Sequence, residues 1–351
     1  MLRTKPIRDI LTNPLIAPFY LPSLIFSFAQ GLLLPILPLY VADFDVSYGI
    51  VGVVLAGAGL GSLLGDVPAG MLLGRFGKKP VMLLGLASAA ISMAALYWAS
   101  SMPQVFLLRL LTGFGLASYG VARHAFVADS IAVANRGRSV ALLGGIFRLG
   151  SFAGPAIGGS VAAAFGLRVP FLLGGITTAV ALVVAAIYFP ADKESSSSTR
   201  GSRHHNGNLF ATLRAQFRVL ATAGTGQFFA QMIRGGRRVI IPLYGADVIG
   251  LDAQAIGFII SVSAAVDMAL FYPTGMIMDR IGRKFAIVPS FILQAVGMAL
   301  VPLTGSFEGL LIAASVIGFG NGLGSGTMMT LGADLAPADS RGEFLGVWRL
   351  I

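Results

Sequence analysis

The sequence predicts an all-α membrane protein with ten complete transmembrane helices, the start of an eleventh, and two similarly built halves. Three observations support this prediction. The 351 residues are 56% hydrophobic and only 11% charged, whereas roughly a quarter of the residues are charged in an average soluble domain. Apolar stretches long enough to cross a bilayer, about 20 residues each, recur along the chain with short breaks. One short phrase of the sequence also occurs twice, far apart in the chain.

We number the apolar stretches as spans 1 to 10. Their bounds are 17–41, 48–73, 80–100, 103–128, 139–165, 169–190, 219–245, 253–278, 285–304 and 310–333, and an eleventh span opens near 343. A soluble domain of this size cannot bury so much apolar surface. We therefore expect these helices to lie in the lipid bilayer.

The basic residues of the connections lie on one predicted side of the membrane. With the N-terminus inside, the outer connections carry only Arg168, and the inner connections carry all the other Lys and Arg residues found between spans. This positive-inside pattern predicts an integral protein of the plasma (inner) membrane with a cytoplasmic N-terminus. The net charge of +10 then reflects topology, so nucleic acid is not an expected partner.

One polar stretch divides the chain. Residues 191–208 read ADKESSSSTRGSRHHNGN, a Ser-rich and charged sequence typical of a flexible linker. We expect an N-terminal six-helix bundle at 1–190, a cytoplasmic linker at 191–218 and a C-terminal bundle at 219–351. No metal site is expected at His204 and His205, because two adjacent histidines in a flexible loop do not make a ligand set. No cofactor is expected either.

The repeated phrase is GMLLGRFGKKP, from Gly70, and GMIMDRIGRKF, from Gly275. At the same offset, GFG at 113–115 matches GFG at 318–320, and AD at 128–129 matches AD at 333–334. Spans 1 to 5 therefore correspond to span 7 through the start of span 11. Two similar helical bundles joined by a polar loop are typical of transporters, with a substrate site between the halves at mid-membrane.

Over essentially its whole length the chain resembles the major facilitator superfamily. The doubled phrase is similar to that family's loop signature between helices 2 and 3, and RLLTGFG, from Arg109, is similar to its fourth-helix motif. GSFAGPAIGG is similar to the fifth-helix motif of the drug:proton antiporters. The resemblance implies two pseudo-symmetric bundles and two more helices than this sequence carries in full. The antiporter-type motif supplies Gly150, Gly154, Pro155, Gly158 and Gly159.

The doubled loop is expected to hold one ion pair in each half, because a charge near a low-dielectric region seeks a partner. The predicted pairs are Lys78–Asp129 and Arg283–Asp334; the alternative is that these bases only anchor the topology. In the resembled family, an aspartate at the position of Gly74 braces helix 2 against helix 11 and favours the outward-open state. The gating-loop candidates are Gly70, Arg75, Gly77, Lys78, Lys79, Asp129, Gly275, Asp279, Arg280, Gly282, Arg283 and Asp334.

Ionisable residues inside the spans are functional candidates, because a charge in lipid is costly. The resemblance implies a role in proton transfer for Arg109. Asp66 is expected to titrate, and His124 has an ordinary pKa suited to a proton relay. Each has a structural alternative: Arg109 can snorkel to the outer interface, Asp66 can be a hydrogen-bonded structural acid, and His124, with Arg123, can be a solvated side chain near the inner face.

Span 7 carries RGGRR, residues 234–238, within an otherwise apolar sequence. We expect Asp267 to pair with Arg237 or Arg238, which leaves Arg234, aligned with Gln30, to face the cavity. Arginines outnumber acids in the spans, so the cavity should be electropositive and favour an anionic or electron-rich substrate. The alternative is that the arginines only tie span 7 to its neighbours. The cavity candidates are Gln30, Arg234, Asp267 and Asn321.

Two rows of glycines recur at every fourth residue and should allow close helix packing. They are Gly150, Gly154 and Gly158 in span 5, and Gly318, Gly322 and Gly326 in span 10.

The function predicted from these features is secondary active transport by alternating access, with a small molecule exported in exchange for protons. The protein is expected to be monomeric and not an enzyme. The alternatives are a proton-coupled uptake transporter and a non-transporting, truncated membrane protein. Primary pumping is not expected, because the sequence has no G-x-x-x-x-G-K phosphate loop followed by Ser or Thr.

Overall fold

The computed structural model describes residues 16–130, 133–190 and 216–337, together with Phe344 and Trp348. Described residues form α-helices joined by short connections, with a π-helical turn at Ile16–Tyr20 and 3₁₀ turns at Leu96–Trp98 and Val301–Leu303. Most of the predicted linker, 191–215, lies outside the described residues, as do His204 and His205. The helices are α1 Leu21–Leu33, α2 Ile36–Ala42, α3 Tyr48–Phe76, α4 Lys78–Ala95, α5 Met102–Ser130, α6 Val133–Phe165, α7 Val169–Tyr188, α8 Phe217–Asp247, α9 Ala253–Arg280, α10 Lys284–Leu300, α11 Phe307–Leu323 and α12 Thr327–Leu335.

Seven of the described segments are long and apolar enough to cross a membrane: 18–42, α3, 78–98, 102–129, α7, α9 and 284–303. The two long helices outside this set, α6 and α8, carry arginines; α8 holds Arg234, Arg237 and Arg238 within its length. The shorter α11 is also apolar. The structure therefore supports an all-helical membrane protein, and the count of ten complete spans stays a prediction.

Large apolar side chains are exposed along the helices, as expected for a surface that faces lipid. Leu64, Val67, Met71 and Ile91 are each more than 60% exposed. In water such a surface would be unfavourable, because removing one methylene group from water is favourable by about 0.8 kcal/mol.

Helices α3, α9 and α11 begin with a side-chain cap. Ser47 Oγ accepts a hydrogen bond from the backbone N–H of Ile50, and Ser306 Oγ accepts one from Gly309. Asp252 Oδ1 accepts one from the backbone N–H of Ala255 at 2.8 Å. Such caps satisfy backbone groups that a helix start leaves open. We call the end at which α3 and α9 begin, where the connections carry Asp43, Asp45, Asp247 and Asp252, the acidic end.

The described chain forms two compact units. Among the described residues, the first contains 16–130, 133–190 and 242–261, and the second contains 216–241 and 262–337 with Phe344 and Trp348. The sequence placed the division at the central linker. The predicted bounds 1–190, 191–218 and 219–351 stay a prediction, and the last residues of α8 and the first turns of α9 contact the N-terminal helices.

Within the first unit, α1 packs on α6 and α7, α3 packs on α5, and α4 packs on α5 and α7. Glycines allow these helices to approach at backbone distance. A Cβ added to Gly158 of α6 would overlap the carbonyl oxygen of Leu32 in α1. Likewise, a Cβ on Gly61 of α3 would overlap the carbonyl oxygen of Leu110 in α5. The interior is thus built by the small-residue packing that membrane helices use in place of hydrophobic burial.

Within the second unit, α10 packs on α11. A buried cluster joins Leu220 at the start of α8, Met328 in α12, and Phe344 and Trp348. The indole Nε1–H of Trp348 donates to the carbonyl oxygen of Met328 at 3.0 Å. The last two residues fall where span 11 was predicted to open.

Two predicted spans are interrupted. Span 1 breaks at Leu34 and Pro35, between α1 and α2. Span 10 breaks at 324–326, between α11 and α12, where Gly326 has a φ of +75°. The predicted glycine row of span 10 is therefore wrong at Gly326, because a left-handed residue does not continue a helix face.

Candidate transport site and gating contacts

The first copy of the repeated loop holds the ion pair that the sequence predicted. Gly77 ends α3 with φ 86° and ψ −177°, and α4 begins at the next residue. Lys78 Nζ lies 2.7 Å from Asp129 Oδ2 at the end of α5. Lys79 Nζ donates to the carbonyl oxygen of Phe189 at 2.8 Å, so both lysines hold helix ends together.

The second copy holds the corresponding pair, Arg283–Asp334. Gly282 has a φ of +111°, and Arg283 precedes the first residue of α10. Arg283 Nη1 also donates to the carbonyl oxygen of Thr330 in α12 at 3.0 Å. The arginine therefore binds a carboxylate and a backbone carbonyl of the same helix.

The two copies differ where the sequence differs. Gly74, in the last turn of α3, is exposed, and a Cβ there would meet no atom within 4 Å. Asp279, in the last turn of α9, is exposed as well. The remaining gating-loop candidates, Gly70, Arg75, Gly275 and Arg280, lie on the same helix ends; Arg75 sits over the ring of Phe76.

A polar contact joins α8 and α11 inside the second unit. Arg234 Nε donates to Asn321 Oδ1 at 3.0 Å, and Arg234 Nη1 donates to Gln231 Oε1 at 3.2 Å. Asn321 is 8% exposed and lies just before the break at 324–326. The structure thus brings together two of the four predicted cavity residues.

Hydroxyl groups donate hydrogen bonds to the backbone carbonyls at the helix break beside Asn321. Thr274 of α9 donates to the carbonyl oxygen of Gly322 at 3.1 Å, and Thr327 donates to that of Gly324 at 2.7 Å. Irregular backbone within a membrane protein is tolerated where side chains or water satisfy the freed groups. Discontinuous helices of this kind are typical of transporter binding sites.

The other two cavity candidates lie on helix-packing faces. Gln30 of α1 is half-buried and precedes Gly31, which packs against α6. Asp267 of α9 is half-buried, and its backbone lies against Gly322 of α11. The pairing of Asp267 with Arg237 or Arg238 stays a prediction.

The antiporter-type motif packs on two partners within the first unit. One partner is α1: a Cβ on Gly150 would overlap Ser27, and one on Gly154 would overlap Gly31. Ser27 Oγ also donates to the carbonyl oxygen of Ile146 at 3.3 Å. This face of α6 accounts for the predicted glycine row.

The second partner is the start of α9. A Cβ on Gly159 would overlap the carbonyl oxygen of Ala253, and one on Gly257 would overlap that of Pro155. The backbone N–H of Ala156 donates to Ser261 Oγ at 2.8 Å. Proline has no N–H of its own and bends the helix. The serine hydroxyl therefore meets the backbone of α6 directly beside this proline.

The three proton-coupling candidates lie apart from these contacts. Arg109 is half-buried on α5, with its Cβ against Gly57 of α3. Asp66 is half-buried on α3 and forms no hydrogen bond or ion pair with a residue that the structure describes. His124 is exposed. Its neighbour Arg123 is packed rather than solvated, with its guanidinium 4.7 Å from the ring centroid of Phe147 and 5.6 Å from that of Tyr119.

The sequence reasoning missed the residues of α9 that receive α6. Ala253, Gly257 and Ser261 are small residues at every fourth position, the same signal that identified the glycines of α6. Tyr119 precedes Arg123 by four residues on α5, a spacing that brings helical neighbours together, whereas the contact with Phe147 of α6 had no signal in the local sequence.

Comparison with known sequences decides the family. Residues 19–351 match the Major Facilitator Superfamily. The chain belongs to this superfamily. It is accordingly a membrane transporter protein rather than an enzyme. The resemblance to the major facilitator superfamily that the doubled loop indicated is confirmed.

Among relatives, the class B tetracycline resistance protein of Escherichia coli is 27% identical over 77% of this chain and 68% of its own length. The class D protein of Salmonella ordonez is 31% identical over 77% of this chain and 69% of its own. Among solved structures, a mutant of the nucleoside transporter NupG aligns with a TM-score of 0.75 at 15% identity, covering 94% of this chain and 87% of that one. A D-xylose-proton symporter gives 0.72 at 17% identity, covering 97% and 86%; both likenesses concern the fold.

Proposed function

We propose that this protein exports a small molecule in exchange for protons, by alternating access between its two halves. The observation that carries the proposal is the contact of the antiporter-type motif with α9. Pro155, Gly159 and Gly257 meet at backbone distance, and Ser261 binds the backbone beside the proline. Relatives named as tetracycline and multidrug resistance proteins support export over uptake.

The contact can act as a closure of the acidic end. It consists of smooth helix faces and one hydrogen bond, so it can separate without removing a large side chain from a pocket. A contact of this kind costs little to break and reform, as a transport cycle requires. Tyr48, whose hydroxyl donates to Asp247 Oδ2 at 3.0 Å, adds a second link at the same end.

The transport assay that tests the proposal uses reconstituted vesicles with an imposed pH gradient and a panel of candidate compounds. Export by antiport predicts that substrate moves against the direction of proton flow. Movement in the same direction as protons would instead show uptake by symport, and no movement with any compound would contradict transport.

Closure at α6 and α9 has its own test. Gly257→Leu places a side chain where the carbonyl of Pro155 lies, so we expect transport to be lost while the protein still inserts and folds. Gly145→Leu is the matched control, because a Cβ at Gly145 meets nothing within 4 Å. Normal transport by Gly257→Leu would remove this contact from the mechanism.

We further propose that Arg234 and Asn321 bind the substrate. Arg234 lies in the middle of α8 and is held by Asn321 and Gln231, so its guanidinium is fixed in place. Fixed arginines favour carboxylate or other electron-rich groups. Arg234→Gln should abolish transport with normal membrane insertion, while the exposed Arg218→Gln should leave it unchanged. Unchanged transport in both would assign Arg234 a structural role.

For proton coupling we propose Asp66. It is half-buried within α3 and has no partner among the described residues, so a change in its charge breaks no ion pair that the described structure contains. Asp66→Asn should abolish accumulation driven by a pH gradient but preserve substrate exchange; the exposed Glu308→Gln is the control. Uphill transport with a normal pH dependence in Asp66→Asn would exclude this residue.

The proposed orientation places the N-terminus and the linker in the cytoplasm. The sequence has no cysteine, so a single cysteine at Ser196 reports its own side of the membrane. An impermeant thiol reagent should label it only after the cells are opened. Labelling in intact cells would reverse the topology.

A further inference from the structure

A cavity of about 420 Å³ lies at the acidic end of the first unit; neither Arg234 nor Asp66 lines it, and the proposed transport mechanism does not use it. Its wall comes from the end of α2, the 3₁₀ turn after α4 and the connection between α6 and α7. The side chains that matter are Tyr40, Asp43, Tyr97, Phe165 and Arg168.

The cavity presents opposite charges on an aromatic wall. The guanidinium of Arg168 lies 5.8 Å from the centroid of Tyr40, and Asp43 lines the same cavity. These two side chains are both accessible, and no ion pair joins them in the described structure. Each charge is thus available to a ligand that carries both signs.

The wall is rigid. The hydroxyl of Tyr40 donates to the carbonyl oxygens of Ala99 at 2.8 Å and Leu96 at 3.2 Å, which fixes its ring between α2 and the end of α4. The ring also makes edge contacts with Phe44 and Phe171. The Tyr40 ring carries the guanidinium of Arg168 by cation–π attraction, so the fixed ring holds this positive charge at the cavity wall.

Exposed aromatic side chains lie at the cavity, in Phe165, and beside it, in Trp98. Phe165 is 73% exposed, and Trp98, whose ring centroid is 5.0 Å from that of Tyr97, is 65% exposed. Exposed aromatic side chains at the ends of apolar helices are typical of the membrane–water interface. A ligand here can therefore keep acyl chains in the lipid while its polar group enters the cavity.

We propose that this cavity binds the headgroup of a phospholipid that carries a phosphate and a primary ammonium group, as phosphatidylethanolamine does. Arg168 binds the phosphate, since a guanidinium matches phosphate geometry. Asp43 and the ring of Tyr97 receive the ammonium group. The site differs from the transport site in place and in ligand, and it does not depend on the direction of transport.

Trp98 is a built-in reporter, because the chain has only two tryptophans. In a Trp348→Phe background, brominated phosphatidylethanolamine should quench Trp98 at a several-fold lower mole fraction than brominated phosphatidylglycerol, which has no ammonium group. If Trp348→Phe impairs folding, the signal lost from Trp98→Phe in the otherwise unchanged protein gives the same quantity. Equal quenching by the two lipids would overturn the proposal.

Single substitutions test the roles of Asp43 and Arg168 separately. Asp43→Asn should remove the preference for the ammonium headgroup, and Arg168→Gln should weaken quenching by both lipids. Asp45→Asn and Arg75→Gln are the matched controls, because neither side chain lines the cavity. A preference that survives Asp43→Asn and Arg168→Gln would also overturn the proposal. A further measurement adds soluble glycerophosphoethanolamine, which has the same headgroup without acyl chains. If it changes the emission of Trp98 while brominated lipids do not quench that emission, the ligand is water-soluble and the lipid assignment is overturned.

A low pH should weaken the preference for phosphatidylethanolamine over phosphatidylglycerol. Partial burial raises the pKa of Asp43; the positive charge of Arg168 opposes this shift, and Asp247 and Asp45 add to it. Ammonium binding needs the ionised carboxylate, so the preference for phosphatidylethanolamine should be lost as the pH falls through this raised pKa. Asp43→Asn should show no such dependence, and a preference that persists unchanged into acid would contradict the role of Asp43.

Discussion

The two copies of the repeated loop use one electrostatic arrangement but fix it with different numbers of bonds. In the first copy, a single residue separates α3 from α4, and Lys78 contacts Asp129. In the second copy, three residues separate α9 from α10, and Arg283 contacts both Asp334 and the carbonyl of Thr330. Both contacts of Arg283 are made by Nη1, so one nitrogen of the guanidinium binds a carboxylate and a backbone carbonyl of the same helix.

The comparison explains why each copy needs a pair. Lys78 and Arg283 stand at helix N-termini, and Asp129 and Asp334 stand near helix C-termini. The helix dipole disfavours all four placements. Pairing offsets these costs, so each ion pair allows a basic residue to remain at the end where positive charge is predicted to set the topology.

The largest expected effect comes from the turn glycines that both copies share. Gly77 has φ 86° and ψ −177°, and Gly282 has φ 111°; residues with side chains rarely adopt such angles. Gly77→Ala and Gly282→Ala should each destabilise the protein by roughly 1–3 kcal/mol. Thermal unfolding in detergent measures the effect.

The matched control for these variants is Gly74→Ala. Gly74 is helical and faces open space, so alanine there should stabilise the protein slightly, by up to about 1 kcal/mol. If Gly77→Ala unfolded at the same temperature as Gly74→Ala, the strained turn would not be what distinguishes this position.

A smaller effect is expected from the ion pairs, and it should differ between the copies. The side chains of Lys78 and Asp129 are 27% and 61% exposed, so their coupling should be about 0.2–1 kcal/mol. Arg283→Gln should cost about 1 kcal/mol more than Lys78→Gln, because it also loses the bond to Thr330. Double-mutant cycles with Asp129→Asn and Asp334→Asn measure both couplings. Equal losses of stability in Arg283→Gln and Lys78→Gln, after the two measured couplings are subtracted, would show that the bond to Thr330 adds nothing.

Local sequence was sufficient to predict features that depend on one helix or on the repeat. The Lys78–Asp129 pair followed from repeat and charge, and the packing of Gly150 and Gly154 followed from their spacing. The break at Gly326 was missed because hydropathy does not register a change in backbone angle. The hydrogen bond between Ala156 and Ser261 was not predicted, because it joins segments that lie 105 residues apart in the chain.

The smallest change in stability, and the sharpest test of the comparison, comes from giving the first copy the acid of the second. Gly74→Asp gains about 0.3 kcal/mol of helix propensity and loses about 0.3–1 kcal/mol because the carboxylate stands near a helix C-terminus. Asp279 bears the same unfavourable placement at the end of α9, which indicates that the acid is kept for a role other than stability.

The resemblance implies that an acid at position 74 favours the outward-open state, in which α6 and α9 would separate at the acidic end. We therefore expect Gly74→Asp to increase thiol labelling of a single cysteine at Ser261, with an unfolding temperature close to that of the parent protein. Gly74→Asn is the control, because the asparagine side chain has nearly the shape of aspartate but carries no charge. Equal labelling in Gly74→Asp and Gly74→Asn would show that the missing carboxylate does not set the balance between the two states.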